Sequence, residues 1–229
     1  MNVQGYQKLT LLDYPEKVAC TVFTGGCNLR CPFCHNGGLV RTPFAAASIE
    51  AEVLDYLSRR RGLLDGVCIT GGEPLLQPDL AKFVERVKGM GYLVKLDTNG
   101  SLPDRLSELL ATHLLDYVAM DVKSAPADYE AAVGTAVDVS AFEKSIALIK
   151  ASDIPHEFRT TAVKGIHTPA QFEAIGRLLG DEPYFIQQFV DSGNLLGTGC
   201  AAFTAKESEA LLAAARIHTP RAALRGTKF

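Results

Sequence analysis

Short, nearly continuous apolar runs recur along the chain, over 18–23, 66–70, 93–97, 117–121, 156–161 and 184–188. Several, such as Val67-Cys68-Ile69 and Tyr117-Val118-Ala119-Met120, lack the alternation of a half-exposed antiparallel strand. Such runs fit parallel strands covered on both faces, and six are expected.

The stretches between them change period. Ser48 can cap a helix whose apolar stripe is Ile49, Val53, Leu54 and Leu57, and Asp79 one carrying Leu80, Phe83, Val84 and Val87. Phe142, Ile146 and Ile149 share that spacing, and residues 104–110 supply a shorter helix. Thr168-Pro169-Ala170-Gln171 joins a capping box to proline at the first helical position, ahead of Phe172 and Ile175. A last helix over 207–217, with Leu211, Leu212 and Ile217 apolar, ends near Thr219-Pro220-Arg221, and the basic residues at the very end read as a solvated terminus.

Repeated strand-helix units imply right-handed crossovers. Six units cannot close an eight-stranded barrel, but they can form an open, curved section of one. The expected fold is therefore α/β, a partial (β/α)6 TIM-like barrel with its active site at the carboxyl ends of the strands. The unusual residues gather on that rim. Cys27 follows the first predicted strand, Gly71-Gly72-Glu73-Pro74 the second, Thr98-Asn99-Gly100 the third and Lys123 the fourth. No internal repeat or low-complexity linker divides the 229 residues, so a single domain over 1–229 is expected, with the barrel core over about 18–190 and a C-terminal extension over 191–229.

Composition adds exclusions. With 47% hydrophobic and 21% charged residues the chain reads as a folded globular protein. A formal net charge of -3 gives no general affinity for nucleic acid or anionic membranes, and neither is expected as a partner. The N-terminus shows no basic segment followed by an apolar stretch, and no run is long enough to span a bilayer, so a cytoplasmic protein is expected. Six cysteines in so long a chain do not read as staples, because three crowd into one loop, and a reduced compartment fits better. Cys20 and Cys68 read as buried small hydrophobes, while Cys200 stays open as a fourth cluster ligand.

That loop is Cys27-Asn28-Leu29-Arg30-Cys31-Pro32-Phe33-Cys34. Thiolates are soft anionic ligands suited to iron-sulfur clusters or to zinc. Structural zinc would need a fourth ligand, and His35 would have to turn back sharply to supply it. A four-iron cluster held by three cysteines leaves one iron open to an exogenous chelator such as the amino and carboxylate groups of an amino acid. S-adenosylmethionine presents both beside a sulfonium, and an electron from the reduced cluster can release methionine and a 5'-deoxyadenosyl radical. The cofactor then supplies the difficult chemistry, and the protein controls position and access.

The pattern Cys27-x-x-x-Cys31-x-Phe33-Cys34, followed after the next strand by Gly71-Gly72-Glu73-Pro74, resembles the signature of the radical S-adenosylmethionine enzymes. A longer match resembles the glycyl-radical-enzyme activases, especially the larger anaerobic ribonucleoside-triphosphate reductase activating proteins. It rests on Leu9-Thr10-Leu11-Leu12-Asp13-Tyr14-Pro15, Phe23-Thr24-Gly25-Gly26-Cys27-Asn28, Cys34-His35-Asn36, Leu96-Asp97-Thr98-Asn99-Gly100 and Met120-Asp121-Val122-Lys123.

The resemblance implies a radical S-adenosylmethionine core with Cys27, Cys31 and Cys34 as ligands of a 4Fe–4S cluster and Phe33 as the family's aromatic before the last cysteine. It implies that Gly71, Gly72 and Glu73 meet the cofactor's amino group, mainly through backbone atoms. Asp97, Thr98, Asn99, Met120, Asp121 and Lys123 are implied to line the cofactor pocket, where a monovalent cation near the cofactor carboxylate is also implied. Arg159 resembles an arginine that faces the cofactor, and Gln188 stands near the place of a histidine, though it cannot provide a charged ring. Read without the resemblance, Asp97 and Asp121 are also strand-end charges or helix caps, Arg159 a surface ion pair and His35 a satisfied surface histidine rather than a support of the loop. Glu16 replaces the last glycine of an LxDYPG-like segment, which puts that turn, and the docking of a substrate segment there, in doubt.

The activity so implied is abstraction of a glycine Cα hydrogen on a separate protein, the anaerobic ribonucleoside-triphosphate reductase or another glycyl radical enzyme. No cysteine lies between Cys34 and Cys68, so a single cluster is expected, reduced by an outside flavodoxin or ferredoxin. Two other readings stay open: a radical enzyme acting on a small molecule, and a non-enzymatic iron-sulfur electron carrier.

Overall fold

The computed structural model describes residues 1–42, 47–191 and 193–226. Among the described residues eight strands form one sheet in sequential order: β1 (Val3–Thr10), β2 (Ala19–Thr24), β3 (Gly66–Gly71), β4 (Leu93–Thr98), β5 (Tyr117–Asp121), β6 (His156–Ala162), β7 (Tyr184–Gln188) and β8 (Ala222–Arg225). Pairing from β2 to β8 is parallel, and β1 runs antiparallel to β2. The order leaves β1 and β8 at opposite ends of an open, barrel-like section.

The six apolar runs become β2 to β7, each within one residue of its expected bounds. Four consecutive buried positions open β3 and three consecutive ones occupy the centre of β5, which is why neither run alternates. The two flanking strands were not expected. β1 is exposed over three consecutive positions, so its sequence carries little apolar signal, and β8 is only four residues long.

Helices fill the crossovers: α1 (Gly37–Val40), α2 (Glu50–Ser58), α3 (Leu80–Gly89), α4 (Pro103–Leu110), α5 (Tyr129–Val133), α6 (Val139–Ala151), α7 (Pro169–Leu179) and α8 (Ala205–Arg216). Their buried stripes include Val53, Leu54 and Leu57 on α2, Phe83, Val84 and Val87 on α3, and Phe142, Ile146 and Ile149 on α6. The expected cap of α7 forms, with Pro169 in its first turn and Gln171 Oε1 accepting from the Thr168 N–H at 2.7 Å.

Ser48 meets the start of α2 as expected, its Oγ accepting from the Glu50 N–H at 3.2 Å, and does more besides. Ile49 occupies the N-cap position, while Ser48 Oγ accepts from the Val3 N–H at 3.0 Å and donates to Met1 O at 2.7 Å, tying the start of α2 to the first strand. Asp79 stands at the N-cap of α3 without a capping hydrogen bond from its side chain.

The stretch expected as a C-terminal extension supplies α8 and then β8, which pairs with β7 in the barrel sheet. Its helix packs closely on α7: Thr219 Oγ1 donates to Gly176 O at 2.9 Å, and a Cβ at Gly176 would lie 2.5 Å from Ala215 O. The basic terminus is not simply solvated: Arg225 on β8 donates from Nη1 and Nη2 to both oxygens of the buried Glu157 carboxylate at 2.7 and 2.8 Å and lies over the Phe185 ring, while Lys228 lies outside the described residues.

The turn between β1 and β2 carries a local strain. Glu16 has φ 61°, the left-handed region in which a Cβ meets the backbone, at the position where the resembling segment carries glycine. The turn geometry that the glycine would serve is thus kept by a residue poorly suited to it. Glu16→Gly should raise stability by about 1 kcal/mol, the steric penalty of a left-handed residue less part of glycine's extra unfolded-state entropy. Urea denaturation measures this, and a loss of stability would show that the glutamate side chain outweighs the strain.

Candidate active site

A cavity of about 410 Å3 opens at the carboxyl ends of the strands. This lies within the range of small-molecule sites, about 300–1,000 Å3. Cys27, Cys31, Phe33 and Cys34 line it from the loop after β2, and Gly71 and Gly72 from the turn after β3. Asp97, Thr98 and Asn99 reach it from the end of β4, Asp121 and Lys123 from the end of β5, and Arg159 from β6. Glu73, Met120 and Gln188 are not among its lining residues.

The cysteine loop is fixed from several sides. Its backbone is held by the Arg30 N–H donating to Val133 O at 2.9 Å and the Gly197 N–H donating to Pro32 O at 2.9 Å. Asn99 reaches across from β4, where Nδ2 donates to Asn28 Oδ1 at 3.1 Å and lies 3.8 Å from Cys27 Sγ. Phe33 is buried beneath the loop, edge-on to His167. His167 is held as the Nε2–H tautomer, accepting at Nδ1 from the Val163 N–H and donating from Nε2 to Lys123 O. Its burial pushes the imidazole pKa down, so the ring stays neutral. Burial likewise pushes the free Cys31 thiol up to about 12 and the Cys27 thiol upward, so metal binding here must displace protons. His35 stacks on Phe189 at the loop's edge, with its ring also lining the cavity.

The paired glycines are required by the protein itself. A Cβ on Gly71, whose φ is 122°, would lie 2.2 Å from Thr24 N, and one on Gly72 would lie 1.9 Å from Gly26 O. Their turn presses on the chain leading into Cys27 through two hydrogen bonds, Gly72 N–H to Thr24 O and Glu73 N–H to Gly26 O, each 2.9 Å. Room for a ligand alone, the reason the motif suggests, is therefore an incomplete account of these glycines.

Glu73 is fully buried under the rim. Its carboxylate accepts from the Leu75 N–H at 3.0 Å, the Thr98 hydroxyl at 2.8 Å and the Asn99 N–H at 2.7 Å. Desolvation pushes this carboxyl up to about 7, against the three donors that favour the charged form. Glu73 thus positions the β4 turn, and through Asn99 the cysteine loop.

The cavity floor is a charge network on β4, β5 and β6. Arg159 donates from Nε to Asp121 Oδ1 at 2.9 Å and from Nη1 to Asp97 Oδ2 at 3.1 Å. Lys123 Nζ donates to Asp121 Oδ2 at 2.9 Å, and Lys95 Nζ donates to Asp97 Oδ1. Burial pushes both carboxyls up, but Arg159 together with Lys95 for Asp97, and with Lys123 for Asp121, outweighs it and holds them below the usual carboxylate range. Arg159 is only 12% exposed, which removes the surface-ion-pair reading, and neither aspartate caps a helix. All four carboxylate oxygens of the pair are engaged by side-chain cations, an arrangement that does not fit a monovalent metal ion as a further partner.

Strand parity explains the residues that do not reach the cavity. Met120, next to the cavity-lining Asp121, is fully buried and packs where a Cβ on Gly100 would lie 2.0 Å from its methyl carbon. Thr161 and Gln187 are register partners across β6 and β7, and both line the cavity, so the inward glutamine is Gln187 in place of the expected Gln188. Counting by twos from Arg159 identifies Thr161, and the parallel register then selects Gln187. Asp13 and Thr21, hydrogen-bonded to each other at 2.5 Å, also line the cavity with Gln7, and no motif marks Gln7 or Thr21. Cys200 is not a lining residue.

The residues present fit an iron-sulfur cluster with a zwitterionic cofactor. Three thiols line one cavity together with Asp13, Asp97 and Asp121 and with Lys123 and Arg159, the two cations available to an anionic thiolate cluster and to a ligand carboxylate. Among the described residues no three His, Cys, Asp or Glu side chains are grouped to hold a single metal ion.

A barrel section with a thiol-bearing loop and a glycine turn facing one polar cavity defines an enzyme that works through a bound cofactor. The family model of the Radical SAM superfamily matches residues 21–179, and the chain belongs to that superfamily. It is a radical S-adenosylmethionine oxidoreductase, and enzymes of this superfamily use a 4Fe–4S cluster and S-adenosylmethionine. A protein of Methanocaldococcus jannaschii named as a glycyl-radical enzyme activating enzyme is 35% identical over 195 residues, covering 82% of this chain and 79% of its own. The 7-carboxy-7-deazaguanine synthase of Methanopyrus kandleri is 36% identical over 118 residues, covering 43% of this chain and 46% of that enzyme. Streptococcus suis SuiB, solved with S-adenosylmethionine bound, superposes with a TM-score of 0.70 at 14% identity over 88% of this chain and 48% of SuiB, which shows the shared fold.

Glu73→Gln sets an amide N–H against the Asn99 N–H and should cost about 1–3 kcal/mol. Because the native carboxyl titrates near 7, above the 4.5 of the unfolded chain, the native state binds its proton more tightly. The stability contributed by this group is therefore highest below pH 4.5 and declines as pH rises toward 7. Denaturation of both proteins across that window should show the decline in the wild type and its loss in Glu73→Gln. Parallel pH profiles would contradict the assignment.

Proposed function

We propose that Cys27, Cys31 and Cys34 hold a 4Fe–4S cluster, that S-adenosylmethionine occupies the adjoining cavity, and that the enzyme transfers radical character to a glycine Cα of a partner protein. The observation that carries this reading is the convergence of the cysteine loop, the glycine turn and the Arg159–Asp121–Lys123 charge network on one cavity. When bound, the cluster and S-adenosylmethionine supply one-electron cleavage of the C5'–S bond, releasing methionine and a 5'-deoxyadenosyl radical that becomes 5'-deoxyadenosine on taking a hydrogen atom.

The chain's own residues do the rest. Gly71 and Gly72 present backbone to the ligand, and Asn99 fixes the loop that carries the cluster. Arg159 and Lys123 offer positive charge for the cofactor carboxylate, and Phe33 with Leu29 shields the thiol end from water. Exclusion of water and close placement of the target hydrogen then govern specificity, since homolysis needs no side-chain base.

A relative that matches over 82% of the chain is named for glycyl radical activation, which supports a protein substrate. The partner class is a glycyl radical enzyme, with the anaerobic ribonucleoside-triphosphate reductase as the first member to test, and a flavodoxin or ferredoxin as the electron donor. A reducing cytoplasm suits a chain whose six cysteines are all unpaired. A second reading, a small-molecule substrate, is supported by the synthase match and by Gln7, Asp13 and Thr21, polar side chains on the cavity wall without a role in the charge network.

Anaerobically reconstituted, reduced enzyme should convert S-adenosylmethionine to 5'-deoxyadenosine and methionine. Cys31→Ala should lower this by more than about 100-fold, since loss of outer-shell partners alone costs 10–100-fold. With a purified glycyl radical enzyme the wild type should generate a glycine-centred doublet in the electron paramagnetic resonance spectrum. Cofactor cleavage that persists in Cys31→Ala would overturn the ligand assignment. Cleavage without a doublet from any glycyl radical enzyme, but stimulated by a small molecule, would favour the second reading.

A further inference from the structure

Lys95 lies in the middle of β4 and is 1% exposed. A lysine ammonium is among the least often buried groups, and in an apolar strand it needs a partner of opposite charge. Its surroundings supply one. Nζ donates to Asp97 Oδ1, two residues along the same face, and otherwise meets weak acceptors on the flanking strands, Cys68 Sγ at 3.8 Å and the Tyr117 ring at 5.9 Å. Cys68 and Tyr117 are its register partners on β3 and β5, so the strand pairing fixes the ammonium at this depth.

The other Asp97 oxygen belongs to Arg159, which also holds Asp121. Without Lys95, Asp97 Oδ1 would lack its cation beside the cavity. That aspartate is one of the pair at which a monovalent metal ion was expected. Lys95 is not a lining residue, so it acts through Asp97.

We propose that Lys95 is a built-in replacement for a monovalent cation, a positioning residue whose ammonium fixes Asp97 and makes cofactor binding independent of potassium and sodium. The inference rests on the reading that S-adenosylmethionine occupies this cavity. Lys95→Met keeps the apolar stem but lacks the terminal ammonium, leaving a vacancy beside Asp97 of a size and sign that admit a small cation.

The test measures S-adenosylmethionine affinity by equilibrium dialysis of the reconstituted protein in chloride salts of potassium, sodium and tetramethylammonium at equal ionic strength. The wild type should give the same Kd within about twofold in all three. Lys95→Met should bind about tenfold more weakly in tetramethylammonium and recover in potassium or sodium. A wild type that needs potassium or sodium overturns the proposal, as does a Lys95→Met whose affinity is unchanged or equally reduced in all three salts. If Lys95→Met does not fold, Lys95→Gln replaces it, with the same recovery in potassium or sodium expected and the same results overturning the proposal.

Absence of cofactor binding in every salt would contradict the proposed function instead. The melting temperature of the cofactor-free protein then carries the test. A wild type indifferent to salt identity, with Lys95→Met raised by potassium or sodium only, supports the proposal. A wild type raised by either ion overturns it.

Discussion

The site depends on one buried carboxylate. Glu73 has no contact with solvent, and its two oxygens receive the donors that start the helical turn after β3 and shape the turn after β4. Asn99, fixed by that carboxylate, carries the constraint onward to the cysteine loop. The glycine turn meets the same loop from below with no space to spare. Three rim segments far apart in sequence are thereby held as one surface, which is what a cluster and a cofactor in contact require. Leaving such a carboxylate without its donors would cost the desolvation of a full charge, so the network is made as a whole or not at all.

Below the rim the arrangement is electrostatic. Parallel register places Asp121 and Arg159 side by side on β5 and β6, and Arg159 reaches back to Asp97 on β4. Each of these groups is expensive to bury alone, and together with Lys123 they form one paired network on the cavity that the thiols also line. Arg159 and Lys123 are the cations in that network that line the cavity beside the three thiols. The rim fixes geometry, and the floor fixes charge.

Much of this was legible in the sequence because the signals are local. The spacing of Cys27, Cys31 and Cys34, the glycine pair and the uninterrupted apolar runs each report on a few consecutive residues, and they located the six central strands and the rim. What escaped reading depends on contacts between distant segments. β1 and β8 sit at the ends of the sheet, where exposure or shortness removes the apolar pattern. The choice between Gln187 and Gln188 rests on register with Thr161. The resemblance implied a ligand contact for Glu73, whereas its burial and its three donors make it a brace. Lys95 was absorbed into an apolar run, and only the pairing of β3, β4 and β5 shows its charge enclosed beside Asp97.

The central claim is a cluster held at three corners with its remaining iron open to the cofactor. Mössbauer spectroscopy of protein reconstituted with isotopically enriched iron, recorded before and after addition of S-adenosylmethionine, tests it most directly. The account predicts a single four-iron cluster in which one iron site changes on addition of the cofactor and the other three do not. A spectrum unaltered by the cofactor, or a cluster whose unique iron is already held by a fourth side chain, would contradict it.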